Sequence, residues 1–219
     1  MATVLITGAN RGIGLEMTRQ LIARDDEVIA ACREASPELE QLGVEIIDGV
    51  DVGDDGSVST LVNRLDGRRL DRLVNNAGIL QRTALDNLDW DAMTRQFEIN
   101  SLGPLRVTSA LRENLGQGSK VFIVTSRMGS IEDNTSGGSY GYRMSKAAVN
   151  MAGKSLSVDL KDDGIGVFLL HPGWVSTDMT GGTGIDVRES AAGLIRTMDR
   201  LGIEQTGTFW HQEGYELPW

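Results

Sequence analysis

The feature of this sequence that most constrains its fold is a regular alternation of short apolar runs with amphipathic stretches along all 219 residues. The apolar runs are TVLIT (3–7), EVIAA (27–31), VEIID (44–48), DRLVN (71–75), KVFIVTS (120–126), GVFLL (166–170) and GTFW (207–210). Most are too continuously apolar to have a solvent-exposed face, which is typical of strands in a parallel sheet covered on both sides. The stretches between them predict helices over 13–24, 57–66, 89–114, 140–162 and 188–201. The alternation predicts right-handed crossovers and one α/β domain with a doubly wound parallel sheet of about seven strands.

Composition disfavours several classes of function. The formal charge is 21 − 31 = −10 and the isoelectric point is about 4.7, so nucleic acids and anionic membranes, both polyanionic, are not expected partners. The single cysteine, Cys32, excludes an internal disulfide and fits a reducing compartment. The two histidines, His171 and His211, form no cluster with metal-ligand spacing, so no metal is expected. The N-terminal stretch does not read as a signal peptide, and no apolar run approaches ~18 residues, so we expect a cytoplasmic protein.

A glycine-rich turn follows the first predicted strand. In TVLITGANRGIGLEM, residues Gly8, Gly12 and Gly14 stand between that strand and the first predicted helix. Glycines in this position let the backbone turn tightly and approach a pyrophosphate, which then binds the N–H groups of the helix terminus. The spacing is G-x-x-x-G-x-G rather than G-x-G-x-x-G, and an ordinary strand-to-helix turn is the alternative. Because of its position in the chain, we interpret the turn as the dinucleotide-binding loop of a Rossmann-type sheet.

The end of the second predicted strand indicates which dinucleotide binds. An acidic residue about 20 residues beyond the glycine turn would bind the ribose 2′-hydroxyl of NAD. The strand instead ends in Cys32 and Arg33, and a guanidinium suits the 2′-phosphate of NADP. Arg11, inside the glycine turn, could reach the same phosphate. The alternative is a solvated Arg33 that pairs with Glu34, and between the two we favour NADP(H) over NAD(H).

The stretch SYGYRMSK contains two tyrosines and one lysine in a predicted helix. Residues four apart lie on one helix face, roughly 5–6 Å apart at Cβ, so Tyr142 is the partner of Lys146 and Tyr140 is not. A nearby ammonium stabilises a phenolate and lowers the phenol pKa from its usual value of about 10. This pairing makes Tyr142 a candidate proton donor and acceptor. The motif alone also occurs by chance, so its meaning depends on the rest of the chain.

Several motifs occur together and in one order along nearly all of the chain. They are TGANRGIG (7–14), Asp51–Val52, NNAG (75–78), EIN ending at Asn100, VTSRMGS with Ser126, YRMSK with Tyr142 and Lys146, and HPGWVSTDM with Thr177. In this combination the sequence resembles the short-chain dehydrogenase/reductase family. The stretches SRMGSI, YGYRMSKAAVN, LHPGWVSTDM and EGYELPW look most like the carbonyl reductases of the sniffer and C-factor group.

The resemblance implies an NADPH-dependent oxidoreductase that reduces a small aldehyde, ketone or quinone to the alcohol. Ser126 would orient the carbonyl oxygen, and Tyr142 would donate the proton as general acid. Lys146 would lower the pKa of Tyr142 and hold the nicotinamide ribose, while Asn100 would fix a water that links Lys146 to solvent. The implied cofactor contacts are Gly8, Asn10, Arg11, Gly12, Ile13, Gly14, Arg33, Asp51, Val52, Asn76, Ala77, Gly78, Tyr142, Lys146, Pro172, Gly173, Val175 and Thr177.

Structural interpretations remain for individual residues. Ser126 could be a helix cap or turn residue, Asn100 a buried amide, and Lys146 a surface charge. We expect His171 to be a hydrogen-bonded histidine at a strand end without a catalytic role. Trp174 and Met179 are expected to be walls of a substrate pocket.

The Gly-rich stretch 178–189 has no apolar periodicity, and we expect it to be a substrate lid within the single domain 1–219. A second class of function is a cofactor-sensing signalling protein of the C-factor type with little turnover. The intact set of four candidate catalytic residues favours the enzyme, because a sensor needs no proton donor. The extended epimerase and dehydratase branch usually requires a longer C-terminal region than the segment after Thr177. The substrate and the direction of the reaction stay open, and a homodimer is possible because family members pair through two long helices.

Replacing Tyr142 with Phe removes the phenol hydroxyl, and we expect it to abolish nearly all turnover while cofactor binding survives. General acid catalysis contributes about 10²–10⁴-fold, so a loss smaller than tenfold in kcat would contradict the assignment. Tyr140→Phe is the matched control, since Tyr140 is not on the face of Lys146, and its kcat should stay within a few-fold of the parent.

Overall fold

The computed structural model describes residues 1–219 and is built on one parallel sheet of seven strands. The strands are β1 (Thr3–Thr7), β2 (Glu27–Ala31), β3 (Glu45–Ile47), β4 (Arg72–Asn75), β5 (Lys120–Val124), β6 (Gly166–His171) and β7 (Phe209–His211). Their order across the sheet is β3-β2-β1-β4-β5-β6-β7, and every neighbouring pair is parallel. Each strand overlaps a predicted apolar run, so the doubly wound α/β fold in one domain is confirmed.

Seven α-helices connect the strands and cover both faces of the sheet. They are α1 (Gly12–Ile22), α2 (Pro37–Glu40), α3 (Asp55–Leu65), α4 (Trp90–Phe97), α5 (Gly103–Ala110), α6 (Tyr140–Asp159) and α7 (Val187–Arg200). A cluster of 22 buried apolar residues packs α3, α5 and α6 on one face, and a cluster of 19 packs α1 and α7 on the other. The two clusters are nearly equal in size, which explains why most strands are apolar at every position. None of the helices combines the length and apolar character that crossing a membrane requires.

The predicted continuous helix over 89–114 is wrong in two respects, since α5 ends at Ala110 before a 3₁₀ turn at Arg112–Asn114, and the helix is also interrupted in its middle. A π-helical turn at Glu98–Leu102 separates α4 from α5. Pro104 has no N–H group and cannot donate the hydrogen bond that the Asn100 carbonyl would receive in an α-helix. The Gly103 N–H accordingly bonds the Glu98 carbonyl, five residues back. Such π-turns are frequent at functional sites, and this one contains Asn100.

Helix α2 is too short for its periodicity to be seen in the sequence, and it was not among the predicted helices. Its local signal is Ser36 followed by Pro37, because serine is a favoured N-cap and proline fits the first helical position. The Ser36 hydroxyl accepts a hydrogen bond from the Leu39 N–H at 3.2 Å and donates one to the Asn10 carbonyl at 2.7 Å. Helix α2 therefore fastens the chain after β2 to the glycine turn.

Candidate active site

The loops that follow β1 and β4 are locked together at the carboxyl edge of the sheet. The Thr7 hydroxyl accepts hydrogen bonds from the backbone N–H groups of Asn76 and Ala77, each at 3.1 Å. The Asn76 side chain returns two bonds, to the carbonyls of Thr7 at 3.0 Å and Gly8 at 3.1 Å. The predicted cofactor segments TGANRGIG and NNAG thus form one hydrogen-bonded unit.

Glycine is required at two positions of this unit. Gly8 has φ of +66°, and a Cβ there would lie 2.9 Å from the Ala77 Cα. At Gly14, a Cβ would overlap the Gly8 carbonyl oxygen and lie 2.5 Å from the Asn76 amide nitrogen. Because these positions have no side chain, the glycine turn packs directly against the NNAG segment at the start of α1.

Arg33 lies at the carboxyl end of β2 with an exposed side chain that forms no ion pair. The alternative pairing with Glu34 is not formed. Arg11 is partly engaged, because its Nη1 lies 3.6 Å from the Asp178 carboxylate, although both side chains are exposed. Of the two arginines expected to bind a 2′-phosphate, Arg11 therefore has a carboxylate partner and Arg33 has none.

Asp51 and Val52 follow β3 and lie beside the π-helical turn at Glu98–Leu102. The Asp51 carboxylate accepts a hydrogen bond from the Gly53 N–H at 2.9 Å. Asp51 also lines a second hollow of about 350 Å³ together with Glu98 and Ile99. The expected contact of Asp51 and Val52 with the adenosine half of a dinucleotide stays a prediction.

Tyr142 and Lys146 lie on the same face of α6, as their spacing predicts. The Lys146 Nζ lies 5.7 Å from the centroid of the Tyr142 ring and donates a hydrogen bond to the Val124 carbonyl at 3.0 Å. Both side chains are buried, with 4 % of Lys146 and 8 % of Tyr142 exposed. Lys146 is therefore not a surface charge. Tyr140 is the first residue of α6 and does not line the same cavity.

Burial moves the two pKa values in opposite directions. It raises the pKa of Tyr142 to about 12, an effect that the nearby Ser126 hydroxyl partly opposes. It lowers the pKa of Lys146 from 10.5 to about 8. The expected lowering of the Tyr142 pKa is thus wrong for the free protein, because desolvation of the phenolate outweighs the influence of its neighbours.

Ser126 follows β5 and caps a short 3₁₀ turn at Arg127–Gly129. Its hydroxyl accepts a hydrogen bond from the Met128 N–H at 3.1 Å, so the cap interpretation of Ser126 is also true. A Cβ at Gly129 would lie 2.7 Å from the Lys146 carbonyl carbon. The missing side chain at Gly129 lets this turn pack directly against α6 and brings Ser126 to Tyr142.

Asn100 is fully buried in the π-helical turn. Its side chain accepts a hydrogen bond from the Ile79 N–H at 2.8 Å and donates to the Ile79 carbonyl at 2.9 Å and to the Ser145 hydroxyl at 3.0 Å. Both amide hydrogens are therefore bonded to protein groups. Asn100 joins the loop after β4 to α6, and this geometry supports the buried-amide interpretation.

A cavity of about 290 Å³ opens between the end of β5, the start of α6 and the loop after β6. Nine residues that the sequence predicts to contact the cofactor or the substrate line this cavity. They are Ile13, Ser126, Tyr142, Pro172, Gly173, Trp174, Val175, Thr177 and Met179. Trp174 and Met179 are pocket walls, as expected. Asn100 and Lys146 lie outside this lining. The cavity thus brings the candidate proton donor next to residues expected to face the nicotinamide.

His171 ends β6 and also lines the cavity. The expectation of a fully hydrogen-bonded histidine is wrong, because its buried Nδ1 has no partner. Its ring packs edge-on against His211, with centroids 5.1 Å apart. Burial lowers the pKa of His171 to about 3, so the imidazole is neutral at physiological pH.

The predicted lid stretch consists of a loop and the first residues of α7. Its base is fixed by a bond from the Ile185 N–H to the Trp174 carbonyl at 2.8 Å and one from the Ser176 N–H to the Ile185 carbonyl at 2.9 Å. Asp178–Thr180 forms a 3₁₀ turn, and Gly181 follows with φ of +68°. The lid interpretation remains a proposal.

Sequence reasoning missed the wall formed by residues 127–136. Arg127, Met128, Asp133 and Ser136, together with Arg143 from α6, all line the cavity. The stretch between β5 and α6 has no periodicity, and its only signal is the polar run DNTSGGS. The segment between Ser126 and Tyr142 has to pass the site, because both of its ends lie there. This connectivity is the signal from which the wall could have been predicted.

Comparisons with known proteins identify the family to which this fold and site belong. The family model described as short chain dehydrogenase matches residues 2–187. The chain therefore belongs to the short chain dehydrogenase family. It is 46% identical over 226 residues to the 1-hydroxy-2-glutathionyl-2-methyl-3-butene dehydrogenase of Rhodococcus sp. strain AD45, with all of both chains covered. It is 50% identical over 154 residues to C-signal of Myxococcus xanthus, which covers 68% of this chain and 93% of that protein.

Solved structures give the same result. The carbonyl reductase Sniffer of D. melanogaster superposes with a TM-score of 0.92 at 31% identity, and all of both chains is covered. The NADPH-bound carbonyl reductase from chicken fatty liver superposes with a TM-score of 0.91 at 31% identity, with 100% of this chain and 99% of that chain covered. The resemblance to the sniffer and C-factor group is confirmed.

The buried position of Lys146 leads to a measurable prediction. In the free protein labelled with ¹³C-lysine, the Cε resonance of Lys146, assigned by its loss in Lys146→Met, should titrate with a pKa of about 8. Burial penalises the ammonium form, and a single carbonyl partner does not compensate for it. A pKa near 10.5, the ordinary value for lysine, would show that the ammonium is hydrated and would contradict this geometry.

Proposed function

We propose that this protein is an NADPH-dependent reductase that converts a small aldehyde, ketone or quinone to the alcohol, with Tyr142 as general acid. The observation that carries the proposal is the single cavity that Ser126 and Tyr142 share with Ile13 and Thr177. Ser126 and Tyr142 are suited to bind the carbonyl oxygen. Ile13 and Thr177 lie on the side of the glycine turn. The membership of the family and the carbonyl reductase structures support the same reaction.

Each catalytic residue acts through a contact already described. The bound nicotinamide supplies the hydride. Ser126 donates a hydrogen bond to the carbonyl oxygen while its own oxygen is held by the Met128 N–H. Tyr142 gives its phenol proton to that oxygen. Asn100 positions α6 through Ser145 and the loop that carries NNAG through Ile79.

The two shifted pKa values suit proton donation at neutral pH. With a pKa of about 12, Tyr142 keeps its proton until the oxygen becomes basic. With a pKa of about 8, Lys146 is mainly charged at pH 7. The charged Lys146 then stabilises the phenolate that forms when the proton leaves. In the alcohol direction the same pair accepts the proton.

The cofactor proposal depends on the position of the glycine turn and on Arg33. The turn fits a dinucleotide, because it joins β1 to the N-terminus of α1, whose first N–H groups can bind a pyrophosphate. Arg33 supplies an exposed guanidinium without an ion pair at the end of β2. No acidic residue precedes it at the end of the strand to accept the 2′-hydroxyl of NAD. The NADPH-bound chicken enzyme supports this choice of cofactor.

We expect a preference for NADPH over NADH that depends on Arg33, with help from Arg11. The protein has a charge of −10, so the preference has to come from short-range contacts. One charged hydrogen-bonding contact gives on the order of 10–100-fold. Arg33→Asp should lower kcat/KM for NADPH at least tenfold and leave that for NADH unchanged or improved.

The matched control is Arg64→Asp, an equally exposed arginine on α3 that forms no ion pair. It makes the same charge change away from the glycine turn, and the ratio of the two kcat/KM values should stay as in the parent. Two results would show that Arg33 does not select the cofactor. One is a parent protein that prefers NADH, and the other is an equal fall in the NADPH-to-NADH ratio of kcat/KM in both variants.

A signalling protein with little turnover is the second candidate, and the similarity to C-signal of Myxococcus xanthus favours it. The two are separated by following NADPH oxidation with a panel of aldehydes, ketones and quinones. The reductase proposal expects saturable turnover with at least one of these classes. NADPH binding without oxidation by any of them would favour the sensor.

We infer that Thr180–Asp186 forms a lid that becomes ordered over the bound cofactor and substrate. The segment TGGTGID contains three glycines, and all three, Gly181, Gly182 and Gly184, have positive φ. Closure would exclude water from the reacting carbonyl. Hydrogen exchange of this segment should slow at least several-fold with NADP and an inhibitor, whereas exchange in α3 should not change. Equal exchange of the segment in both states would rule out a lid.

A further inference from the structure

The cavity beside Tyr142 has a local charge opposite to that of the whole protein. The chain has a net charge of −10, but the charged residues in the cavity lining are Arg127, Arg143 and Asp133. Arg127 and Asp133 form an ion pair with two hydrogen bonds, one of them between Nη2 and Oδ1 at 3.0 Å. Arg143 is left as a cation in the cavity wall without a carboxylate within ion-pair distance.

The guanidinium of Arg143 is half-buried and bonded only to neutral groups. Nε donates to the Gly137 carbonyl at 3.1 Å, Nη1 to the Met128 carbonyl at 3.4 Å, and Nη2 to the Ser136 hydroxyl at 2.8 Å. A guanidinium has five N–H donors, so two are not used by these bonds. A partly desolvated cation with free donors and no counter-ion is a favourable partner for an anion that enters the cavity.

Arg143 is also close to the reacting groups. It follows Tyr142 directly on α6, and its partner Met128 bonds the Ser126 hydroxyl through the backbone N–H at 3.1 Å. A substrate whose carbonyl oxygen lies between Ser126 and Tyr142 therefore extends along the wall that contains Arg143. The guanidinium can therefore bind a second group on the same small molecule, beside the carbonyl.

A second cation lies at the rim. The Arg82 guanidinium carbon is 5.7 Å from the centroid of the Trp174 ring, which lines the cavity. Arg82 is exposed and forms no ion pair. Stacking on Trp174 holds this charge at the cavity edge, where it attracts anions over a distance of up to about a Debye length, ~8 Å at physiological salt.

We propose that the substrates are carbonyl compounds that carry a carboxylate, and that Arg143 binds this carboxylate with support from Arg82. The proposal rests on the reductase function above and names its substrate class. The alternative for Arg143 is a purely structural role, in which it only fastens residues 128–137 to α6.

The test compares 2-, 3- and 4-carboxybenzaldehyde with their methyl esters as substrates of the full protein with NADPH. Each pair differs by one charge at a fixed distance from the aldehyde, and the three isomers sample different distances. One charged contact is worth on the order of 10–100-fold, so at least one acid should exceed its ester at least tenfold in kcat/KM. Acids no better than their esters for all three isomers would overturn the proposal, while turnover of the esters would still support the reductase.

Arg143→Gln removes the charge and keeps a hydrogen-bond donor for the residues it fastens. It should reduce the acid-to-ester ratio of the preferred isomer at least tenfold, mainly through KM, and Arg82→Gln should reduce it less. An equal loss for acid and ester in Arg143→Gln would show a structural role only and would contradict the proposal. Arg64→Gln is the control for a distant exposed charge and should leave the ratio as in the parent.

A binding measurement separates this proposal from the reductase function. Calorimetric titration of the protein–NADP⁺ complex with benzoate and with benzamide needs no turnover. Benzoate should bind at least tenfold more tightly than benzamide in the parent, and the difference should disappear in Arg143→Gln. If no aldehyde, ketone or quinone is reduced but benzoate is preferred, the reductase fails and the anion site stands. Equal binding of benzoate and benzamide overturns the anion site.

Discussion

The burial of Lys146 is the constraint on which the candidate site depends. Lys146 is only 4 % exposed, and its ammonium has a single hydrogen bond, to the Val124 carbonyl. A charged group in this position is unfavourable on its own, and the lowered pKa of Lys146 expresses that cost. The protein tolerates it because α6 packs directly on the turn after β5. Gly129 allows this close packing, since a Cβ there would lie 2.7 Å from the Lys146 carbonyl carbon. The position of Tyr142 beside Ser126 follows from the same packing.

The parallel sheet makes this local arrangement useful by collecting distant segments at one edge. The ends of β1, β4, β5 and β6 contribute the glycine turn, NNAG, Ser126 and the segment after His171. Asn100 adds a brace between α6 and the loop after β4, and the π-helical turn places it there. The site is thus built from backbone packing and buried amides, and few surface charges take part. Arg143 in the cavity wall and Arg82 at its rim form no ion pair.

The sequence was sufficient to predict the seven strands, because continuously apolar runs require burial on both faces. It was also sufficient to pair Tyr142 with Lys146, because helix geometry depends only on spacing. It did not reveal the π-helical turn, since that depends on Pro104 acting within an otherwise helical pattern. It gave the wrong direction for the Tyr142 pKa, because desolvation is a tertiary property that spacing does not report. The cation in the cavity wall was missed for the same reason, since Arg143 differs from a solvated arginine only in its surroundings.

In the proposed mechanism, a charged Lys146 supports proton donation by a protonated Tyr142. The most direct test is the pH dependence of kcat/KM for carbonyl reduction by the parent protein. Tyr142, with a pKa of about 12, stays protonated across the accessible range, so the loss of charge on Lys146 should control the profile. The account predicts a plateau near neutral pH and a fall as the pH rises through about 8. A profile that stays flat to about pH 10 would contradict it, because Lys146 would then be uncharged without consequence.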